Sequence, residues 1–146
     1  MSPLVRRYLK TAIAFLLVGI AVGGVELVRR ELFGVYPSAA LVSAHTHVIL
    51  VGFVMMMILG VAQWMFPRPP RENSQYRPGT AEAAYWIMTC ATALRFVSEL
   101  GRSGSSSLIL RVAVVAGGLG QIVGLVLFFH NLWPRIRTAG ARMRED

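Results

Sequence analysis

One uncharged stretch decides the class of this protein. Residues 32–66 read LFGVYPSAALVSAHTHVILVGFVMMMILGVAQWMF and contain no Asp, Glu, Lys or Arg. A second uncharged stretch, residues 112–134, reads VAVVAGGLGQIVGLVLFFHNLWP. About 20 predominantly apolar residues are enough to cross the hydrocarbon core of a bilayer. Both stretches exceed that length, so the sequence predicts an integral membrane protein with at least two spans.

Two further spans are predicted from less apolar segments. Residues 11–25 are uncharged but short. Residues 83–94 are followed by Arg95 and Glu99, which we interpret as an ion pair inside the membrane. We therefore predict an all-α protein whose 146 residues form a single domain, a four-helix transmembrane bundle. The predicted spans lie near residues 8–28, 40–66, 82–100 and 110–133.

Positive charge is distributed unevenly around these spans. Ten of the fifteen Lys and Arg residues lie beside the termini or between the second and third spans, and four lie on the opposite side. The positive-inside rule therefore places both termini in the cytoplasm and makes the chain a multi-pass protein of the inner (cytoplasmic) membrane. The net charge of +8 then reflects topology, and no nucleic-acid partner is expected. The ten residues are Arg6, Arg7, Lys10, Arg68, Arg71, Arg77, Arg135, Arg137, Arg142 and Arg144.

The three histidines are the main candidates for chemistry. His45 and His47 lie at the outer end of the second span, and His130 lies near the inner end of the fourth. Ionisable groups inside a membrane are rare and usually functional, which favours a cofactor or metal role for the pair. Residues two apart on a helix point about 200° apart, so one helix offers ligands to two sites, or one ligand and one hydrogen-bonding partner. His130 is a weak candidate, because it is most of a membrane thickness away from His45.

Charged residues are predicted at the same depth as the histidine pair. Arg95 and Glu99 fall in the outer third of the third span, and Glu26 ends the first span at that level. A buried arginine needs an anion. Glu99 or Glu26 would provide a purely structural partner, whereas a haem propionate would make Arg95 a cofactor-binding residue.

The histidine segment carries a resemblance to a known family. Residues 45–52, HTHVILVG, followed by QWMFP at residues 63–67, resemble a haem-bearing helix of the catalytic subunit of haem–copper oxidases, closest to the nitric oxide reductase branch. His45 and Thr46 match a His-Thr dipeptide in that family, and His45 and His47 match a His-x-His pair whose members serve two haems. Residues 128–133, FFHNLW, resemble the end of the family's last helix. The family subunit has twelve helices in three arcs of four, so this chain resembles one arc.

The resemblance implies a membrane protein that binds haem b, with His45 or His47 as a ligand of the haem iron. It implies that Arg95 binds a propionate and that Glu26 and Glu99 set the local field. Electron transfer or handling of NO or O2 would follow, and any enzymatic activity would be of the oxidoreductase type. The chain lacks the family's copper site, which takes three histidines from separate helices, because two of its three histidines lie on one predicted helix.

Two alternatives are left open by the residues themselves. One is a copper or zinc ion without haem, bound by one histidine from each of several copies at a symmetry axis. The other is an accessory or assembly subunit of a respiratory complex, in which the histidines are structural. Both metal-binding interpretations predict a homo-oligomer, either a trimer that mimics the three arcs or a dimer. Small residues at Gly19 and Gly23, and from Gly117 to Gly124, predict close helix contacts, within one chain or between chains.

Overall fold

The protein is built from four long helices, as described by a computed structural model of residues 1–66 and 77–136. Helix α1 is Pro3–Phe33, α2 is Ala39–Met65, α3 is Pro78–Arg102 and α4 is Leu108–Leu132. A short 3-10 turn, Trp133–Arg135, follows α4. These described residues contain no β-strand, so the prediction of an all-α protein is confirmed.

Local sequence signals explain where the first two helices begin and end. The side chain of Ser2 accepts a hydrogen bond from the amide of Val5, and Ser38 does the same for Leu41, which caps the starts of α1 and α2. Gly34 ends α1 with a positive φ of 64°, and its amide donates to carbonyl oxygens of the last turn. Only glycine adopts that backbone conformation without steric cost, so the sequence determines a sharp stop there.

Helix α2 changes its winding directly after the histidine pair. Residues Val48–Met55 form a π-helical segment, flanked by α-helix at Ala39–His47 and Met56–Met65. At its end the amide of Met56 reaches the carbonyl of Val51, five residues back. The wider turn shifts the faces of the two flanking α-helical parts relative to each other. No signal for it was identified in the sequence.

Three of the helices are long and apolar enough to cross a membrane. They are α1, α2 and the continuous helical segment Leu108–Arg135, each with a mean hydropathy above 2 in its most apolar window. In the most apolar stretch of each helix, at most a third of the residues are buried inside the protein, so most apolar side chains face outward. A helix that is apolar on all sides is typical of a lipid environment. Helix α3, which was predicted as the third span, is more polar and does not belong to this group.

The helices pack as two antiparallel pairs in which glycines face bulky neighbours. In the α1–α2 pair, the open space beside Gly52 is occupied by the ring of Phe15, and that beside Gly19 by Ile49. In the α3–α4 pair, Met88 lies against Gly124 and Ala91 against Gly120, whereas Gly117 lies against the Cβ atom of Arg95. The predicted stripes of small residues therefore make contacts within the chain.

Several polar contacts join the helices at one end of the bundle. Arg7 of α1 pairs with Glu82 of α3. Arg135, after α4, is buried and donates to the side-chain and backbone oxygens of Gln63 and to the carbonyl of Phe66 at the end of α2. Both termini of the bundle thus lie at the end opposite the histidine pair. Several basic residues of the predicted charge pattern lie outside the described residues, namely Arg68, Arg71, Arg137, Arg142 and Arg144.

Candidate functional site

The candidate site lies where the start of α2 meets the end of α3 and the second half of α1. The hydroxyl of Ser43, one turn before His47, donates to Glu99 of α3 over 2.8 Å. On the other side of α2, the ring of His45 lies against Gly23 of α1. The end of the bundle that was predicted to face outward therefore contains both histidines.

His47 is held by the backbone of its own helix. Its Nδ1 atom lies 2.8 Å from the carbonyl oxygen of Ser43 and 3.3 Å from the hydroxyl of the same residue. A carbonyl only accepts, so this bond requires the proton of a neutral imidazole to be on Nδ1. The lone pair is then on Nε2, which makes no hydrogen bond within the described residues. The side chain is 30% exposed, so Nε2 is available to a ligand from outside the chain.

Glu99 is the buried anion of the site, and its side chain is only 3% exposed. Its Oε1 atom accepts from the Ser43 hydroxyl and, over 3.1 Å, from Nε of Arg95. Its Oε2 atom lies 4.0 Å from Nδ1 of His47 and has no hydrogen-bond partner. At 4.0 Å the two atoms make no hydrogen bond, which requires a shorter distance. The negative charge of Glu99 would stabilise positive charge on a ligand bound beside His47.

Arg95 has its anion inside the chain. Besides pairing with Glu99, it donates through one terminal nitrogen to Oε1 of Gln121 over 3.2 Å. The amide of Gln121 in turn donates to the hydroxyl of Thr92, also over 3.2 Å. Of the two structural partners considered for Arg95, the structure selects Glu99 and not Glu26. The second terminal nitrogen of Arg95 makes no hydrogen bond within the described residues, so it remains available as a donor.

Gln121 is a site residue that the sequence analysis missed. It is 5% exposed and connects α4 to the Arg95–Glu99 pair of α3. A usable signal was present, because Gln121 is the one polar side chain in the otherwise apolar residues 112–129. A polar group in a membrane span usually finds a hydrogen-bonding partner on a neighbouring helix.

His45 points to the opposite side of α2 from His47, as expected for residues two apart on a helix. A Cβ atom at Gly23 would lie 2.7 Å from Cε1 of its ring, so the ring fits only beside a glycine. The Nδ1 atom of His45 is buried and has no hydrogen-bond partner. Glu26 lies on this side too, where it pairs with Arg29 over 3.1 Å and takes no part in the Arg95 network.

His130 lies at the other end of the bundle. It is exposed on α4, and its neighbour Asn131 accepts a hydrogen bond from the backbone amide of Arg77 at the start of α3. It is therefore separated from His45 and His47 by most of the length of the helices. Within residues 1–66 and 77–136, no three or more His, Cys, Asp or Glu side chains come together in a group able to hold a metal ion.

The two histidines thus belong to two different environments at one end of the bundle. His47 adjoins a buried network of Ser43, Glu99, Arg95 and Gln121, whereas His45 adjoins α1 and Glu26. The resemblance to haem–copper oxidases rests on the quoted motifs alone. No protein-family model, no curated protein and no solved structure matches this chain.

Proposed function

We propose that this chain is a multi-pass inner-membrane protein that binds haem b, and that Nε2 of His47 would hold the iron. The observation that carries the proposal is the short contact between Nδ1 of His47 and the carbonyl of Ser43. Histidines that bind metals usually donate their other ring N–H to a carbonyl or a carboxylate, which fixes the tautomer and the ring orientation. In His47 the Ser43 carbonyl has this role, and the Glu99 carboxylate lies nearby, 4.0 Å away, without accepting a hydrogen bond from the ring.

The shortage of other ligands favours haem over a metal ion that is held within one chain. No group of three or more potential ligand side chains occurs in the described part of the chain. Structural zinc sites take four protein ligands and copper sites several. A haem needs only one or two, because the porphyrin supplies the remaining four. The sequence contains no CxxCH motif, so the haem would be of the non-covalent b type.

Arg95 and Glu99 would set the electrostatic environment of this haem. The free terminal nitrogen of Arg95 offers a donor to a propionate without breaking its bonds to Glu99 and Gln121. The buried carboxylate of Glu99 would stabilise the oxidised form, because nearby charge and axial ligands tune the potential of haem. When bound, the haem would supply one-electron transfer or a site for a diatomic gas such as NO or O2.

A second histidine ligand would have to come from another copy of the chain. His45 lies on the opposite side of α2 and His130 at the opposite end of the bundle. His47 is partly exposed on the outside of the bundle, where a neighbouring chain has access to it. We therefore propose a homo-oligomer, a trimer or a dimer, in the lipid bilayer.

We further propose that all four helices cross the membrane and that both termini are cytoplasmic. Helix α3 runs along α4 from the contact of Arg77 with Asn131 to that of Gly101 with Leu110, and both helices are 25 residues long. Two of the charged residues of α3 near the histidine end, Arg95 and Glu99, are paired with each other within the bundle. The excess of basic residues at the end that holds the termini supports the orientation.

The proposal is tested by the visible spectrum of protein purified from haem-replete cells. We expect a Soret band, an α band after reduction with dithionite, and a pyridine haemochrome of type b. His47→Ala should remove most of this absorbance, whereas His130→Ala, which changes an exposed histidine at the other end, should leave it unchanged. A colourless protein that contains copper or zinc by metal analysis would overturn the haem and support the bare-ion alternative.

A further inference from the structure

A second candidate site lies between α1 and α2, on the side of α2 that faces away from His47. It is a cleft of about 340 Å³. Most of its walls are apolar, and the exposed side chains of Leu27 and Val42 form part of its lining, so the cleft opens to the outside of the bundle. Three of its lining residues are ionisable, namely Glu26, Arg30 and His45. Arg30 pairs with Glu31, so Glu26 and His45 carry the argument.

Each of these two residues has a buried polar atom without a partner. The Oε2 atom of Glu26 and the Nδ1 atom of His45 are both buried and make no hydrogen bond. Arg29 satisfies only the other carboxylate oxygen of Glu26, Oε1. A buried polar atom that is left unsatisfied costs free energy, so such atoms usually have a partner. Two such atoms belong to residues that line the same cleft, which indicates that a ligand in the cleft completes their hydrogen bonding.

We propose that this cleft binds a membrane-dissolved phenol. A hydroxyl group donates one hydrogen bond and accepts others, so it matches both unsatisfied atoms in kind, as a donor to Oε2 of Glu26 and as an acceptor from Nδ1–H of His45. A phenolic hydroxyl is a stronger donor than an aliphatic one, because its pKa is near 10. The aromatic ring would lie against the imidazole and the apolar walls formed by Leu41 and Pro37.

The size and composition of the cleft argue against a metal ion. Small-molecule sites are typically clefts of about 300 to 1,000 Å³ with mostly apolar walls and a few polar groups. The cleft matches that description, and it is far larger than one ion. It also provides only two side chains of the kinds that bind metals, Glu26 and His45. The site needs no haem, so it stands or fails separately from the proposed function.

The site depends on Gly23, because its missing side chain leaves room for the ring of His45. A Cβ atom there would lie 2.7 Å from Cε1 of His45 and 3.4 Å from both ring nitrogens. Gly23→Ala should therefore push the imidazole out of position. The adjacent Gly24 has no heavy atom within 4 Å of its hypothetical Cβ, so Gly24→Ala is a matched control on the same helix.

The test is the saturable binding of radiolabelled 4-nonylphenol to the full-length protein in lipid nanodiscs, with empty nanodiscs as the blank. We expect one site per chain. The methyl ether 4-nonylanisole, which cannot donate a hydrogen bond, should bind about tenfold more weakly or worse, and so should 1-nonanol. Glu26→Gln and Gly23→Ala should weaken the binding of the phenol by a similar factor, and Gly24→Ala should not.

Val42→Trp is a second variant, which fills the cleft and leaves both Gly23 and His45 in place. Val42 is half exposed, so the larger side chain should abolish binding while the helical content measured by circular dichroism stays unchanged. Equal binding of the phenol and its methyl ether would overturn the proposal, as would binding that ignores Glu26→Gln and Val42→Trp. If 1-nonanol bound as tightly as 4-nonylphenol, the proposal of an aromatic ligand would be overturned. The absence of any saturable binding would mean that water satisfies the two atoms.

Discussion

Removing the charge of Glu99 should destabilise the bundle more than removing that of any exposed acid. In Glu99→Gln, the shape and one acceptor oxygen are kept, but Arg95 loses its anion and retains only the neutral Gln121. Breaking a buried ion pair by removing one partner costs roughly 3–5 kcal/mol. Because the Arg95 side chain is still 20% exposed, we expect the lower end of this range, about 3 kcal/mol.

Helix α3 provides a matched control for this substitution. Glu82 also pairs with an arginine, Arg7, but the two side chains are 52% and 47% exposed. Exposed ion pairs contribute about 0–1 kcal/mol, so Glu82→Gln should change stability little. The same assay serves both variants, namely reversible unfolding by sodium dodecyl sulfate in mixed micelles, followed by circular dichroism and tryptophan fluorescence.

A double-mutant cycle separates the ion pair from other effects of the substitution. Arg95→Gln alone leaves the Glu99 carboxylate buried without its cation, so it should also cost about 3 kcal/mol. The double variant buries neither charge and should cost less than the sum of the single variants by about 2 kcal/mol. Additive effects, or a loss in Glu99→Gln no larger than that in Glu82→Gln, would refute the assignment of Glu99 and Arg95 as a buried pair.

Three further predictions concern packing, topology and assembly. Gly117→Ala should destabilise the bundle by about 1–3 kcal/mol, because the new Cβ would lie 2.9 Å from the backbone oxygen of Ala91, whereas Gly118→Ala, with 3.4 Å to its nearest atom, should not. In a cysteine-free background, a cysteine at Ser105 should react with an impermeant thiol reagent added outside the cell and one at Ser2 should not; the reverse pattern would overturn the orientation. Native mass spectrometry should find a trimer or a dimer, and a strict monomer with bis-histidine haem would contradict ligand sharing between copies.

Much of the fold follows from properties that a single helix carries in its own sequence. The segments predicted as spans coincide with the four helices, three of which are apolar enough to cross a membrane, because apolar length is a local feature. The divergence of His45 and His47 follows from the 100° rotation per residue of an α-helix. The pairing of Arg95 with Glu99 follows from their spacing of four, which brings the side chains together on one face.

The features that escaped prediction depend on contacts between helices. Ser43 and Gln121 join the Arg95–Glu99 pair from α2 and α4, and their positions depend on how those helices are aligned with α3. The same alignment explains why Gly117, Gly120 and Gly124 face α3 and not another chain. One sequence specifies which residues are small or polar, but it does not specify which residues of other helices they meet.

The proposed role of His47 as the iron ligand is tested most directly by chemical rescue of His47→Gly. Replacing the side chain by hydrogen leaves a space beside the Ser43 carbonyl in which free imidazole can take the place of the missing ring. We predict that this variant loses the haem spectrum and that added imidazole restores the Soret band and the reduced α band. A His47→Gly protein that keeps the wild-type spectrum without imidazole would contradict the assignment.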